Sequence, residues 1–361
     1  QQNTPEQEQP AGLQITPNFD SLQEPETYHQ HFAELAETPR ARSNSEILDA
    51  LLAQLQPVNF KLIAFPQLEE LEEERLSLVE QLGDTTIPGT NVVAKPKEER
   101  PKGEEAKKLD KQLDKVQKQI NACGIGERHF LVLSVDQILK AAKEQGWQLC
   151  KNKEQLYLYN GCYWALIDKE ALAVFLGEAA ECLGVNKFYA KFYEFRDKLW
   201  KQFLASAYLP APEPNRNEVL INLQNGTFEI TPQGNRLRPF SAADFITYQL
   251  PFAYNPEAEA PRWTAFLNKV LPDVERQKVL AEFLGFVFMK NQSGAIKEER
   301  ALVLYGTGAN GKSVVFEVVS AILGRENVSN FSPQSLTEEK GFYRAKIANK
   351  LLNYASEVNV K

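Results

Sequence analysis

The sequence predicts an α/β portion of P-loop type at its C-terminal end. Mixed α+β and helical regions precede it, and the N-terminus is partly disordered. Three observations lead there. Residues 301–323, ALVLYGTGANGKSVVFEVVSAIL, pass from an apolar run through a glycine-rich loop into an apolar-periodic segment. Two alternating runs further upstream are each broken at Asn-Gly, the dipeptide favoured in two-residue hairpin turns. The first 28 or so residues are rich in Gln, Glu, Pro, Thr and Asn, and bury too little apolar surface to offset the entropy of ordering.

Taken in order, residues 1–43 read as a tail or linker and residues 44–124 as a helical hairpin arm with a flexible loop. From Ser45, Glu46–Leu55 spells a short amphipathic helix that ends before Pro57 and suits a small docking element. Leu68, Leu71, Leu78 and Leu82 then share one helical face beside Glu69, Glu70, Glu72, Glu73 and Glu74. After a connector over residues 83–103, Leu109, Leu113, Val116 and Ile120 repeat the spacing, so that two helices pair along a coiled-coil-like seam. Such an arm serves either as a partner contact or simply as a packed hairpin with solvated faces.

Residues 125–210 read as a small α+β domain, compatible with a winged-helix-like module. It comprises a short strand at Phe130–Leu133, a helix at Val135–Glu144 and a hairpin of Leu156–Tyr159 with Cys162–Ile167. Helices follow over Lys169–Leu183 and Asn186–Ala205. Lys187, Lys191, Arg196, Lys198 and Lys201 interleave with Phe188, Tyr189, Tyr193 and Trp200. That pattern suits single-stranded nucleic acid, where bases stack on rings and cations hold phosphates. Aromatic residues at helical spacing more often pack into a core, which leaves a packed helix with a solvated face as the blander reading. Residues 211–300 follow the linker Pro210–Pro214 with a second hairpin, Val219–Leu223 and Thr227–Thr231. An irregular stretch and helices at Arg262–Val270 and Val274–Met289 complete this region, and residues 301–361 open the P-loop portion.

In that portion Ala301–Tyr305 reads as a buried strand, and Val315, Val318, Val319 and Ile322 mark the helix after the loop. Between them Gly306, Thr307, Gly308, Ala309, Asn310, Gly311, Lys312 and Ser313 spell G-x-x-x-x-G-K-S, with Val314 continuing into the helix. Glycines let the backbone wrap a polyphosphate, and successive N–H groups at a helix N-terminus supply positive potential. Lys312 reaches the β- and γ-phosphates and Ser313 ligates Mg²⁺. The expected ligand is a nucleoside triphosphate with Mg²⁺.

Composition excludes several classes. With 43% hydrophobic and 25% charged residues, the 361-residue chain is ordinary for a globular protein. Cys123, Cys150, Cys162 and Cys182 show no C-x-x-C spacing and only three histidines are present, which argues against a zinc site or disulfide framework. No apolar run approaches the roughly 20 residues that span a bilayer, so no membrane partner is expected. The net charge of −7 is uneven: residues 1–100 hold 7 Lys+Arg against 18 Asp+Glu, leaving 34 basic and 30 acidic residues in the rest.

Asn225-Gly226-Thr227, Tyr254-Asn255-Pro256, Trp263 with Phe266-Leu267, and Glu282-Phe283-Leu284-Gly285 resemble the region ahead of the ATPase in phage/plasmid primase-helicases. The loop Gly306–Ser313, with Asn310 before Gly311-Lys312-Ser313, is similar to that family's Walker A form, and Lys350–Glu357 to its Walker B strand. The resemblance covers about Val219 to Lys361. It implies a superfamily 3 helicase with an AAA+ type P-loop ATPase that hydrolyses ATP and moves on single-stranded DNA as a homo-oligomeric ring, usually a hexamer. It further implies a role in replicating a mobile element in the cytoplasm of a bacterial host, with a primase or other replication protein as partner. Arg262–Met289 would be the collar that holds the ring together. Glu357 would orient the attacking water and contribute to the metal's water shell, with Ser356 standing where an acid is commoner.

The absent initiator methionine and the end of the chain four residues after Glu357 suggest a piece of something longer. The family's sensor asparagine, DNA-contacting hairpin and arginine finger lie further on. Two other readings stay open. One is a non-helicase P-loop NTPase, and the other a partner-binding or loading module with an ATP-driven assembly switch.

Overall fold

The structure is a computed structural model that describes residues 41–83, 85–87, 91–210, 217–289, 300–306, 310–338 and 341–355. The tail expected over residues 1–43 falls almost wholly outside them. All the described residues belong to one compact unit, Pro39–Lys361.

Helix α1 (Asn44–Gln54) opens with a capping box. The Ser43 hydroxyl accepts from the Glu46 amide, and the Glu46 carboxylate accepts from the Ser43 amide at 2.7 Å. The cap is therefore Ser43 rather than Ser45. Nor is α1 a separate docking element, because Ile47, Leu48 and Leu51 are buried in the main core. A short helix, α2 (Phe60–Ala64), leads to the hairpin of α3 (Leu68–Leu82) and α4 (Glu104–Ala122). Leu68, Leu78, Val116 and Ile120 are buried between them, with Leu71, Leu109 and Leu113 alongside. This is the seam that the leucine spacing describes, since residues three and four apart share a helix face.

Helix α5 (Glu127–Glu144) replaces the strand expected at Phe130–Leu133. Four apolar residues in a row fit strand or helix. The recurrence of Leu131, Val135, Ile138 and Ala142 as buried residues at 3–4 spacing decides for the helix. Strands β1 (Gln148–Asn152), β2 (Gln155–Tyr159) and β3 (Trp164–Leu166) form an antiparallel sheet in that order. The sequence alone does not announce β1, because Gln148-Leu-Cys-Lys-Asn152 carries little strand signal of its own and gains its place by pairing with β2. Helix α6 (Lys169–Cys182) is capped by Asp168. The single helix expected over Asn186–Ala205 is two helices, α7 (Lys187–Lys191) and α8 (Tyr193–Ser206). Phe192 between them is extended (φ −69°, ψ 130°), and the redirected α8 buries Phe195, Leu199 and Phe203 in the core shared with α1, α5 and α6.

A second three-stranded antiparallel sheet comes next: β4 (Val219–Leu223), β5 (Gly226–Thr231) and β6 (Gly234–Arg238). Asn222, fully buried, joins it to the first sheet. Its amide donates to the Cys162 carbonyl at 3.1 Å and the Tyr248 carbonyl at 3.0 Å. Trp164, 1% exposed, donates from its indole to the Ala242 carbonyl and packs against Phe245. Arg238 holds the far edge, donating to Glu229 at 2.6 Å and forking onto Asp244 at 2.9 Å.

Beyond the second sheet lie helices α9 (Pro261–Val270) and α10 (Val274–Phe286), and among their residues Leu280 alone is buried. The last portion holds α11 (Lys312–Leu323), β7 (Val328–Ser329), α12 (Pro333–Thr337), α13 (Phe342–Lys346) and β8 (Leu352–Asn353). Here two expectations are corrected. Ala301–Tyr305 is not a strand and is not buried: Val303 is 76% and Tyr305 92% exposed. A strand requires a ladder partner, and β8, within the stretch expected to flank it, pairs in parallel with β7 instead. The strand expected over Lys350–Glu357 is regular only at Leu352–Asn353, and Glu357 lies outside the described residues.

Candidate nucleotide-binding loop

Helix α11 forms because Val315, Val319 and Leu323 recur at fourfold spacing and are buried. It begins at Gly311, whose backbone is left-handed (φ 86°), a conformation that costs little only for glycine. Space also requires glycine there. A Cβ at Gly311 would stand 2.9 Å from the Phe266 ring and 3.0 Å from Val270, so α9 supports the loop from behind. Among the described residues no side chain caps α11. Its first-turn N–H groups and the positive end of the helix dipole are thus available to an anion.

Lys312, half-buried, turns back over the loop. Its ammonium donates to the Asn310 Oδ1 at 2.7 Å and to the Gly306 carbonyl at 3.0 Å. Ser313 and Val314 are exposed at the helix start. Thr307, Gly308 and Ala309 lie outside the described residues. Gly306, Asn310, Gly311, Lys312, Ser313 and Val314 are gathered at one helix end, and this donor set fits a polyphosphate with its Mg²⁺. The ammonium and uncapped N–H groups meet phosphate oxygens, and Ser313 offers a hydroxyl for the metal. Among the described residues no cluster of three or more His, Cys, Asp or Glu could hold a metal unaided. Phe316 on α11 stacks on Tyr354, just after β8, at 4.0 Å, which fixes the end of that strand beside the loop's helix.

The cations expected to contact nucleic acid are largely engaged within the protein. Lys198 meets Glu127 at 2.9 Å, Lys201 meets Asp197 at 2.7 Å, and Lys187 comes within 3.9 Å of Glu181. The hydrogen bond with Lys198 holds the Glu127 carboxyl below its usual range, and the same bond raises Lys198. Burial, then Glu127, pushes the Tyr189 hydroxyl up to about 12. Arg196 donates to the Ala190 carbonyl and lies across Gly177, so it packs α8 onto α6. Lys191 ends α7. Of the aromatic residues, Phe188 and Tyr193 are exposed, whereas Tyr189 and Trp200 pack against the core.

Two family models match separate parts of the chain. Residues 136–272 match the family described as D5 N terminal like, and residues 304–361 match a family of unknown function, DUF5906. The first match covers less than half of the chain, and the domain it describes is the N-terminal region of phage/plasmid primase-helicase-like proteins. It begins well upstream of Val219, where the motif resemblance starts, and so takes in both sheets and the helices between them. The match over the loop carries no activity with it. No curated protein matches the chain.

The resemblance motifs upstream of the loop acquire structural reasons within this D5-like domain. Asn225 donates to the Tyr254 carbonyl and accepts from the Tyr254 amide at 2.8 Å. A Cβ on Gly226 would stand 2.6 Å from the Arg238 carbonyl oxygen. Both motifs therefore lock the β4–β5 turn to the following chain. Sequence reasoning missed the support of Gly311 by Phe266 and Val270. Trp263 and Phe266, stacked 5.6 Å apart, were its available signal. Among the described residues no helix is long and apolar enough to cross a membrane.

Proposed function

We propose that this chain carries the ATPase of a superfamily 3 type DNA helicase, or the helicase part of a primase-helicase, serving replication of a phage, plasmid or other mobile element. The observation that carries the reading is the uncapped start of α11 with left-handed Gly311 and the inward Lys312. The D5-like domain ahead of it supports the replication setting. In this reading the fold around the loop is an AAA+ type α/β portion. ATP lies along Gly306–Val314, Lys312 neutralises the β- and γ-phosphates, and Ser313 holds Mg²⁺. The metal supplies charge neutralisation on the phosphate oxygens. Glu357 orients the attacking water. Single-stranded DNA is the track, and a homo-oligomeric ring, a hexamer, the working form, with α9 and α10 as its collar and a primase or other replication protein as partner.

The test is ATP turnover by the full chain with and without single-stranded DNA, beside Lys312→Ala and Glu357→Gln. The proposal expects DNA-stimulated turnover. Lys312→Ala should abolish it together with tight nucleotide binding. Glu357→Gln should bind ATP and fail to hydrolyse it. Turnover indifferent to DNA and accompanied by phosphoryl transfer to a small acceptor would favour a non-helicase P-loop enzyme.

A further inference from the structure

We propose that Asn310 is a latch that holds Lys312 in a retracted position until nucleotide arrives, and that it thereby sets the affinity of the loop. The inference rests on the reading of Gly306–Val314 as a nucleotide site. Three described residues, Gly306, Asn310 and Lys312, meet in a triangle at the start of α11. The Lys312 ammonium donates to the Asn310 Oδ1 at 2.7 Å and to the Gly306 carbonyl at 3.0 Å. An ammonium has donors only, so the oxygen of the Asn310 amide must be the atom that faces it. The other half of the amide rests on Gly306: a Cβ there would lie 1.6 Å from Asn310 Nδ2 and 2.8 Å from Cγ. Glycine at position 306 thus provides the space in which the amide lies, and the amide in turn holds the lysine.

The consequence follows from competition. A phosphate oxygen makes a charge-assisted bond stronger than a neutral amide can, so nucleotide wins Lys312 but must first displace Asn310. The apparent dissociation constant then equals the intrinsic one divided by the fraction of loops with Lys312 released. An asparagine that contacted nucleotide would give the opposite sign, because its loss would weaken binding.

The experiment uses the full chain and ATP·Mg²⁺, comparing wild type with Asn310→Ala by equilibrium titration. A second readout is the rate at which an amine-modifying reagent labels Lys312 in nucleotide-free protein, followed by peptide mass spectrometry. Removing one acceptor should lower the dissociation constant about three- to tenfold, the worth of one net hydrogen bond, and label Lys312 faster. Gly306→Ala, which fills the amide's space, should also speed labelling, and it serves if Asn310→Ala does not fold. Unchanged labelling in the variants would overturn the latch. Faster labelling with an unchanged or raised dissociation constant would overturn its control of affinity. Wild-type protein that binds no ATP would instead overturn the nucleotide-site reading, while labelling would still judge the contact between Asn310 and Lys312.

Discussion

The D5-like body and the portion that carries the proposed nucleotide loop are built on different principles. In the body, Trp164, Phe195, Phe203, Leu172 and Leu199 are each at most 1% exposed, and two three-stranded sheets are joined through a buried asparagine. In the loop portion the strands are two residues long, and Val303 and Tyr305 face solvent. Yet the chemical motif lies in the second region. A phosphate loop needs only a left-handed glycine, a helix end and a lysine, all within a few residues. A sheet core needs partners from distant parts of the chain. The residues of the proposed site can therefore gather locally where long-range packing is sparse.

The largest predicted effect tests the body side of this contrast. Phe195→Ala should cost about 3–5 kcal/mol of stability, the usual range for a buried phenylalanine, in denaturant unfolding of the full chain. A loss below about 1 kcal/mol would show that α8 is not held by the common core. Arg238→Ala should cost less, about 1–3 kcal/mol, because it removes the guanidinium that bridges Glu229 and Asp244 at a partly exposed edge while Arg236 still reaches Glu229.

Acid should act at the same edge. Burial raises the Glu229 carboxyl, but hydrogen bonds and charge from Arg238 and Arg236 outweigh it, and the net shift is downward. A carboxyl lowered in the folded state adds stability above its unfolded pKa, and this is lost as pH falls through the folded value. Stability should therefore drop below about pH 4.5, and the slope should flatten in Glu229→Gln. An identical slope in that variant would assign the acid sensitivity elsewhere. The smallest effect belongs to the loop portion: Val303→Ser and Tyr305→Ser should each change stability by about 0.5 kcal/mol or less, as exposed positions do. A large loss there would mean that these side chains are covered in solution.

Legibility in the sequence divides along the same line. The loop, its helix and the leucine seam of α3 and α4 could be read directly, because each is defined by residues within a few turns. The two hairpins were legible for the same reason, but not their two-residue Asn-Gly turns: the first loop spans residues 160–163, and Gly226 is already the first residue of β5, paired with Leu223. What escaped depended on distant partners. β1 exists because β2 pairs with it, and β6 because β5 does. Phe130–Leu133 became helix because the periodicity continued to Ala142. Ala301–Tyr305, apolar enough for a buried strand, lacks a ladder among the described residues. In the candidate site, the motif itself is a run of neighbouring residues that the sequence displays, whereas the support of Gly311 by Phe266 and the clasp of Lys312 by Asn310 required coordinates. The partners of the cationic run of α7 and α8 were not legible either, because the acids that pair with it include Glu127, some 70 residues away on α5.

The central claim is that Gly306–Val314 forms a working nucleotide site beside a sparsely packed strand region. Calorimetric titration of the full chain with ATP·Mg²⁺, beside Lys312→Ala, tests it most directly. The account predicts one saturable site per chain in the wild type, weakened about tenfold or more when the ammonium is removed, the equivalent of at least 1.4 kcal/mol. Absence of binding in the wild type, or equal affinity in both proteins, would contradict it.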